Sequence, residues 1–397
     1  MTNNIPNEVW AFDCEWVPDI QAGKLLYHLP EESTTEEILE RMWREGGATE
    51  ENPQPFLRMI YCRLVSIVTV IRRTRDDGSV SLFLSTLPEN PDDPEKLSEE
   101  YILTRFLKDG VQKKNPQLVG FNSRNADIRI LMQRAVAKGL FLPSFFRLLD
   151  QKPWESKNID LMDIVSGHGK TYAVSLNDIS TLSGIPGKMD VKGDDVWKLW
   201  YEEHNPRKIV EYNCYDSLTT YLVWLRYAYI SGKLLREETL EKIREEFLAE
   251  QGKIWDSLSK MEQAPGLKEI YTREEGRIWD SLKMRTERRE LPEKERNGFV
   301  DEEGRLFDRF SGDGAERKTS TGDSTEQERT RFLECQLSLW KRVEAALHKE
   351  AYIVEQRRLK EMMEQKIGES AENWGFLQAY LDYWKDLQEK TGQEGVF

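Results

Sequence analysis

Short apolar segments rich in β-branched and aromatic residues open the chain before any long helical segment, and this order constrains the fold most. The first three are Glu8–Trp16, Arg63–Ile71 and Val80–Ser85, and an Asp-Gly pair before the third favours a hairpin. A fourth strand is predicted at Gln117–Phe121, and helices alternate with short segments after it. Consecutive strands followed by this alternation predict an α/β fold with a mixed sheet flanked by helices.

Helical signals follow the fourth strand. One helix is predicted to end before Gly139, and another spans Ser175–Ser183. A long helix is predicted over residues 206–231, because Pro206 suits a first helical position and Gly232 suits a C-terminal cap.

Charge divides the chain near residue 232. Charged side chains number 61 in residues 1–232 and 67 in the remaining 165 residues, so the second part is far more charged. We therefore predict two domains, 1–235 and a charged, mostly helical C-terminal region, 236–397.

The net charge of −14 argues at first against a nucleic-acid substrate, because proteins that bind nucleic acid usually carry a basic surface. Much of the acidity lies in residues 31–51, with a net charge of −6, and residues 88–100, with −5. We interpret both as solvated insertions. The rest of residues 1–232 carries +4, so the charge does not exclude a nucleic-acid partner.

Several classes of protein are disfavoured. No apolar run reaches the ~18–20 residues of a membrane span, and the N-terminus lacks the features of a secretory signal. The cysteines show no CxxC spacing, which disfavours a thiolate zinc site and is typical of a reducing compartment; they are Cys14, Cys62, Cys214 and Cys335. We expect a cytoplasmic protein without membrane contact.

The C-terminal region contains an internal repeat with copies at Phe247–Leu258, Tyr271–Leu282 and Phe299–Phe310. Each copy has an aromatic residue, an acidic turn, a glycine and a second aromatic residue. The glycine could turn a hairpin or end a helix. We favour hairpins for the last two copies.

The repeat block, 247–326, is predicted to be an insertion, and residues 311–327 are predicted to be disordered because of their low complexity. Helices are predicted at residues 328–365 and 371–389, and the last helices could pack back on the N-terminal core. The charged faces of this region could bind a protein partner, or its aromatic residues could simply fill a small core.

Asp13 and Glu15 stand in an apolar strand. Alternate residues of a strand share a face, so both carboxylates project together. Two buried acids are costly unless a cation or hydrogen-bond donors compensate them, and Mg²⁺ prefers such oxygen ligands. An edge strand with solvated acids is the alternative.

Two further pairs of polar residues lie at positions where ligand-binding side chains are common. Asn122 and Asp127 occupy the turn between the fourth strand and the next helix, where they could bind a ligand or cap the helix. Tyr212 and Asp216 share one face of the long helix, among apolar neighbours. Asp216 could alternatively be one hydrogen-bonded acid on a helix face.

Together these groups resemble the DEDDy class of 3′–5′ exonucleases, in the DnaQ-like branch of the ribonuclease H fold. The pattern FD-x-E maps onto Phe12–Glu15, N-x4-D onto Asn122–Asp127, and Y-x3-D onto Tyr212–Asp216. Residues 159–226, including SLNDISTLSGIPGKMDVKGDDVW, are similar to the predicted 3′–5′ exonuclease family related to the proofreading domain of family-B DNA polymerases. The resemblance covers residues 8–235.

The resemblance implies two divalent ions, Mg²⁺ or Mn²⁺, held by Asp13, Glu15, Asp127 and Asp216. Tyr212 would orient the attacking water. The implied reaction removes 5′-nucleoside monophosphates from the 3′ end of single-stranded DNA or RNA. A catalytically silent nucleic-acid-binding or assembly protein with the same fold is the alternative.

Candidate substrate-binding residues are Trp16, Asn122, Arg124 and Lys188. Trp16 could stack on a base, although it stands where the family commonly has a small hydroxyl residue and could simply pack in the core. Ala126 replaces a usual aromatic residue. Asp160 and Asp163 are interpreted as helix-capping residues rather than metal ligands.

Overall fold

The computed structural model describes residues 5–147, 158–168, 173–187, 189, 195–258, 267–285, 293–312 and 322–392. The chain forms two compact units. The sheet unit comprises Pro6–Tyr227 and the C-terminal segment from Glu355, and the helical unit comprises Ala228–Val354. Lys188, one of the candidate substrate-binding residues, lies outside the described residues.

A five-stranded mixed sheet forms the centre of the sheet unit, in the order β3-β2-β1-β4-β5. The strands are β1 Glu8–Pro18, β2 Cys62–Thr74, β3 Val80–Leu87, β4 Gln117–Gly120 and β5 Asn158–Asp160. β1, β2 and β3 pair antiparallel, whereas β4 pairs parallel with β1 and β5. The predicted mixed sheet with flanking helices is therefore confirmed.

Helices surround this sheet, and the three that the sequence predicts within residues 1–232 are present. The helices are α1 Ile20–Tyr27, α2 Thr35–Glu45, α3 Glu99–Leu103, α4 Gln112–Lys114, α5 Asp127–Ala137, α6 Pro143–Arg147, α7 Leu161–Val165, α8 Leu176–Leu182, α9 Val196–Tyr201 and α10 Pro206–Ile230. A 3₁₀ turn at Met59–Tyr61 and a π-helical segment at Thr104–Val111 complete this part. Ser175 caps α8 by accepting a hydrogen bond from the backbone of Asp178.

The two acidic stretches are not merely solvated insertions. The apolar side chains of α2, among them Ile38 and Met42, are fully buried in the core that also holds Phe12 of β1. In the second stretch, Glu99 is buried and accepts a hydrogen bond of 2.6 Å from Arg134. For residues 31–51 the interpretation as a solvated insertion is wrong, because the acidic residues of α2 cover only the outer face of an amphipathic helix. Residues 88–98 are mostly exposed or half-buried.

The C-terminal segment of the sheet unit packs on α10 and β2. The buried Glu355 pairs with Arg72 of β2 and accepts a hydrogen bond of 2.8 Å from Tyr221 of α10. Further along, Tyr380 stacks on Tyr215 with a 5.8 Å centroid distance. The segment comprises the end of α14 Gly322–Glu369, α15 Ala371–Trp374 and α16 Phe376–Thr391. The predicted domain boundaries, 235 and 247–326, stay predictions.

The helical unit corrects the hairpin prediction. All three repeats lie inside helices, α11 Glu237–Leu258, α12 Leu267–Arg285 and α13 Glu293–Gly312. Two of their glycines lie close to side chains of other segments: a Cβ at Gly252 would lie 2.7 Å from Arg329, and one at Gly276 would lie 2.6 Å from Arg296. Glycine here permits close side-chain approach and does not turn the chain.

The segment predicted to be disordered, 311–327, is only partly described. Residues 311–312 end α13 and residues 322–327 begin α14, so these flanks continue helices, whereas 313–321 lie outside the described residues. Among the described helices, none combines the length and the apolar character that a membrane crossing requires.

Candidate metal centre

Three carboxylates meet between β1 and α10. Asp13 and Glu15 lie two residues apart on β1, and the intervening Cys14 is buried in the core. Asp216 comes from α10. One ligand oxygen from each of Asp13, Glu15 and Asp216 lies within 4.8 Å of the other two. The edge-strand alternative is wrong, because β1 is the central strand of the sheet.

Hydrogen bonds to β2 fix the position of α10. Asn213 donates from Nδ2 to Oγ of Ser66 over 3.1 Å, and Ser217 donates from Oγ to the carbonyl oxygen of Val68 over 3.1 Å. Ser66 and Val68 are the β2 partners of Glu15 and Asp13. These hydrogen bonds therefore hold the face of α10 that carries Asp216 next to the two acids of β1.

Tyr212 lies one helical turn before Asp216 and is almost fully buried. Its ring packs in a cluster that includes Val17 and Val65. Burial, followed by the negative charges of Glu15 and Asp216, raises the pKa of this phenol well above its usual value. Tyr212 therefore stays protonated and acts as a hydrogen-bond donor, with Asp216 as a partner.

Asp127 lies outside the group of three carboxylates, although it stands beside the same strand. It is the first residue of α5, and its Oδ1 accepts a hydrogen bond of 3.0 Å from the backbone amide of Cys14. Burial raises the pKa of the Asp127 carboxyl to about 7. The structure thus brings three of the four predicted carboxylates together, and a ligand role for Asp127 stays a prediction.

The turn before Asp127 is held by Asp160. The backbone amides of Asn122 and Arg124 donate to the two carboxylate oxygens of Asp160, each over 2.9 Å. Asp160 also caps α7 by accepting from the amide of Asp163, so its predicted capping role is confirmed. The Asn122 side chain accepts a hydrogen bond from Asn125 instead of capping α5.

The guanidinium of Arg124, a candidate for contacting phosphate, pairs with Asp163 over 3.1 Å. Its side chain is about one-third exposed, so a substrate phosphate would compete with this carboxylate. Contact between Arg124 and substrate stays a prediction.

Trp16 follows the acidic pair, at a register shift in the pairing of β1 with β2. It is partly buried against the core, and its ring contacts Phe56 edge-on with a 6.4 Å centroid distance. The side chain of Phe56 is 66% exposed. Sequence reasoning missed Phe56, because an isolated aromatic residue in a loop carries no periodic signal.

The donor set of this centre fits a hard divalent cation. Glu15 and Asp216 are buried and Asp13 is partly buried, so three like charges would repel one another strongly if nothing compensated them. Carboxylate oxygens at this spacing are the ligands that Mg²⁺ and Mn²⁺ prefer. The arrangement can therefore hold at least one such ion where β1 meets α10.

Comparison with known proteins gives one family. Residues 54–261 match the family described as "predicted 3′-5′ exonuclease related to the exonuclease domain of PolB", and the match includes Asp127, Tyr212 and Asp216 but begins after β1. No curated protein matches the chain.

One solved structure with distant similarity is a DNA polymerase. The family B DNA polymerase from the hyperthermophilic archaeon Pyrobaculum calidifontis is 16% identical, and the similarity covers 57% of this chain and 25% of the polymerase chain. The TM-score of 0.34 is too low to support an argument from that structure.

Proposed function

The chain belongs to the family of predicted 3′–5′ exonucleases related to the exonuclease domain of PolB, and we propose that it hydrolyses single-stranded DNA or RNA from the 3′ end. The products would be 5′-nucleoside monophosphates. The proposal includes a ribonuclease H-like arrangement of the sheet unit, which the mixed sheet with its central acidic strand supports.

One observation carries this proposal: the convergence of Asp13, Glu15 and Asp216 within 4.8 Å. Asp216 is distant in sequence from the pair on β1, yet hydrogen bonds from α10 to β2 bring the three together. A buried carboxylate trio is unfavourable for a domain that serves only as a scaffold.

The proposed roles follow from position. Asp13, Glu15 and Asp216 would hold a divalent ion, with Asp127 as the further ligand that the resemblance implies. When bound, Mg²⁺ or Mn²⁺ would neutralise charge on the scissile phosphate and lower the pKa of a water molecule. Tyr212, which keeps its proton, would hold that water in line for attack through its hydroxyl group.

The aromatic pair of Trp16 and Phe56 is the proposed contact for the terminal base. Trp16 directly follows Glu15, and the exposed ring of Phe56 offers a face on which any base could stack. Stacking does not depend on base identity, which suits an enzyme that removes successive nucleotides.

A catalytically silent nucleic-acid-binding protein is the second candidate. It would keep the fold and bind the same strand, but the Asp13–Glu15–Asp216 trio would then have no role in chemistry. The presence of all three carboxylates and of Tyr212 favours the enzyme.

The experiment combines binding and cleavage with one set of proteins. Purified full-length chain is incubated with single-stranded DNA and RNA oligonucleotides in Mg²⁺, in Mn²⁺ and in chelator, and Asp216→Asn is compared with Asp76→Asn, an exposed carboxylate in the turn between β2 and β3. We expect ion-dependent shortening by wild type and Asp76→Asn, and a loss on the order of 10²–10³-fold in Asp216→Asn. Binding without any shortening of either substrate would support the silent protein instead.

A further inference from the structure

A layer of four buried polar side chains crosses the helical unit. The residue before each repeat glycine is Gln251 in α11, Glu275 in α12 and Glu303 in α13, and each is fully buried. Gln336 of α14 is also fully buried. Each of the four follows an aromatic residue by four positions and precedes another by four, so α14 carries the same stripe, Phe332–Gln336–Trp340, as the three repeats.

These side chains form two hydrogen-bonded pairs, and the carboxyl of Glu275 interacts with Glu303 and Tyr271 of the second pair. Gln251 donates from Nε2 to Oε2 of Glu275 over 2.6 Å, and Gln336 donates from Nε2 to Oε2 of Glu303 over 2.9 Å. Tyr271 of α12 donates to the same oxygen of Glu303 and accepts from Gln336 over 3.0 Å. Each carboxylate therefore has one oxygen that accepts hydrogen bonds and is fixed in place.

One side-chain oxygen of every member accepts no hydrogen bond from the residues that the structure describes. Oε1 of Gln251, Glu275, Glu303 and Gln336 is buried, and none of the four has a hydrogen-bond partner among the residues that the structure describes. An unpaired buried acceptor costs about 1–3 kcal/mol. Four in one layer, at equivalent positions of four helices, indicate a group that is missing from the contacts of the chain itself.

The charge of the layer also indicates that a partner group is missing. Glu275 and Glu303 are both shielded from solvent, and no lysine, arginine or histidine side chain hydrogen-bonds to either within the described network. Two carboxylates buried in one layer cannot both be ionised without a compensating charge. A cation or a shared proton is required.

We propose that the helical unit binds one hard divalent cation in this layer, through the carboxylate oxygens of Glu275 and Glu303 and the amide oxygens of Gln251 and Gln336. Four oxygen donors with a total charge of −2 match the preference of Ca²⁺, Mn²⁺ and Mg²⁺. Side chains on facing helices are a common way to build a metal site in the core of a bundle. The bound ion would tie the four helices together.

The test uses the full-length chain with Asp13→Asn and Asp216→Asn, which removes the carboxylate trio of the sheet unit. Binding of Mn²⁺ to this background is measured by electron paramagnetic resonance, and its melting temperature is recorded with and without Mn²⁺ and Ca²⁺. We expect one equivalent of tightly bound Mn²⁺ and a rise of the melting temperature with either ion.

Two further variants of this background locate the ion. Glu275→Gln with Glu303→Gln keeps the size of the layer and removes its charge, so it should lose the bound Mn²⁺. Glu274→Gln with Glu302→Gln, one position earlier in the same repeats and each paired with arginine, should keep it. If the background protein binds no Mn²⁺ and is not stabilised by either ion, the layer holds a proton and the proposal is wrong. Retention of the ion after the Glu275 and Glu303 substitutions would also overturn it.

Discussion

The backbone amide of Cys14 donates a hydrogen bond of 3.0 Å to Oδ1 of Asp127, across 113 residues of sequence. This contact ties the first residue of α5 to the strand position between Asp13 and Glu15. A fourth carboxylate is therefore held beside the acidic trio while its own burial raises its pKa to about 7. The same residue serves the fold as an acceptor, and its proposed role as a metal ligand requires the ionised carboxylate.

Replacing Asp127 by asparagine separates these two roles. The amide oxygen of the new side chain can still accept from Cys14, and a neutral group is less costly to bury than a carboxylate. We expect the melting temperature of Asp127→Asn to be unchanged or higher, and 3′-end shortening to fall on the order of 10²-fold. Thermal denaturation and a gel assay of a labelled oligonucleotide measure the two effects. Full activity in this variant would show that Asp127 acts only in the fold.

The hydrogen bonds that attach α10 to β2 are predicted to affect both stability and the activity of the Asp13–Glu15–Asp216 centre. Asn213→Ala leaves the Ser66 hydroxyl without its partner in a fully buried site, at a cost of about 1–3 kcal/mol in the free energy of unfolding. We expect activity to fall too, because Asp216 and Tyr212 would lose their register with β1. Urea denaturation gives the stability. Lys208→Ala, at an exposed position near the start of the same helix, should change neither property, and equal losses in both variants would refute the argument.

Phe56 is predicted to contribute to substrate binding and not to the stability of the fold. Its side chain is 66% exposed, so Phe56→Ala should leave the melting temperature unchanged. Loss of one base–aromatic stack should weaken binding of a single-stranded oligonucleotide by about 1–3 kcal/mol, which raises KM. Phe141→Ala, at an 86% exposed phenylalanine, is the matched control. Equal KM values for the two variants would exclude a stacking role for Phe56.

The helical unit is predicted to lose stability as pH rises when divalent ions are absent. Burial raises the pKa of Glu303 to about 7, whereas an unfolded glutamate titrates near its ordinary value, and the layer around it holds Glu275, Tyr271, Gln251 and Gln336. The folded chain thus keeps a proton that the unfolded chain releases. The stabilisation is complete below the unfolded pKa and is lost as pH rises through about 7.

Hydrogen exchange in chelator, read by mass spectrometry on peptides from α12 and α13, measures this effect. Protection, corrected for the intrinsic exchange rate, should decrease as pH rises through about 7 in wild type and should depend less on pH in Glu303→Gln. The same pH dependence in both proteins would mean that Glu303 does not titrate in this range.

Local patterns predict most of the sheet unit. The apolar runs of β1, β2 and β3 and the capped helices α8 and α10 are recognisable because each is set by residues close in sequence. The acidic stretch that contains α2 is harder to recognise as part of the core, since its many glutamates obscure an apolar face that includes Ile38 and Met42.

Long-range contacts account for the features of the structure that local sequence patterns do not predict. The contact of Asp127 with Cys14 depends on how β4 and α5 pack, which spacing alone does not indicate. In the repeats, acidic residues before glycine suggest a turn, but Gly276 and Gly252 accommodate Arg296 and Arg329 of other segments. The i, i+4, i+8 stripe of an aromatic residue, Glu or Gln, and a second aromatic residue is visible in the sequence and is typical of helices.

The most direct test of the central claim follows a 5′-labelled single-stranded oligonucleotide, as DNA and as RNA, during digestion by the wild-type chain and by Asp13→Ala. We expect a ladder that shortens one nucleotide at a time from the 3′ end in Mg²⁺ or Mn²⁺, release of 5′-monophosphates, and no shortening in chelator or in Asp13→Ala. Absence of shortening of either substrate by wild type, or shortening that persists in Asp13→Ala, would contradict it.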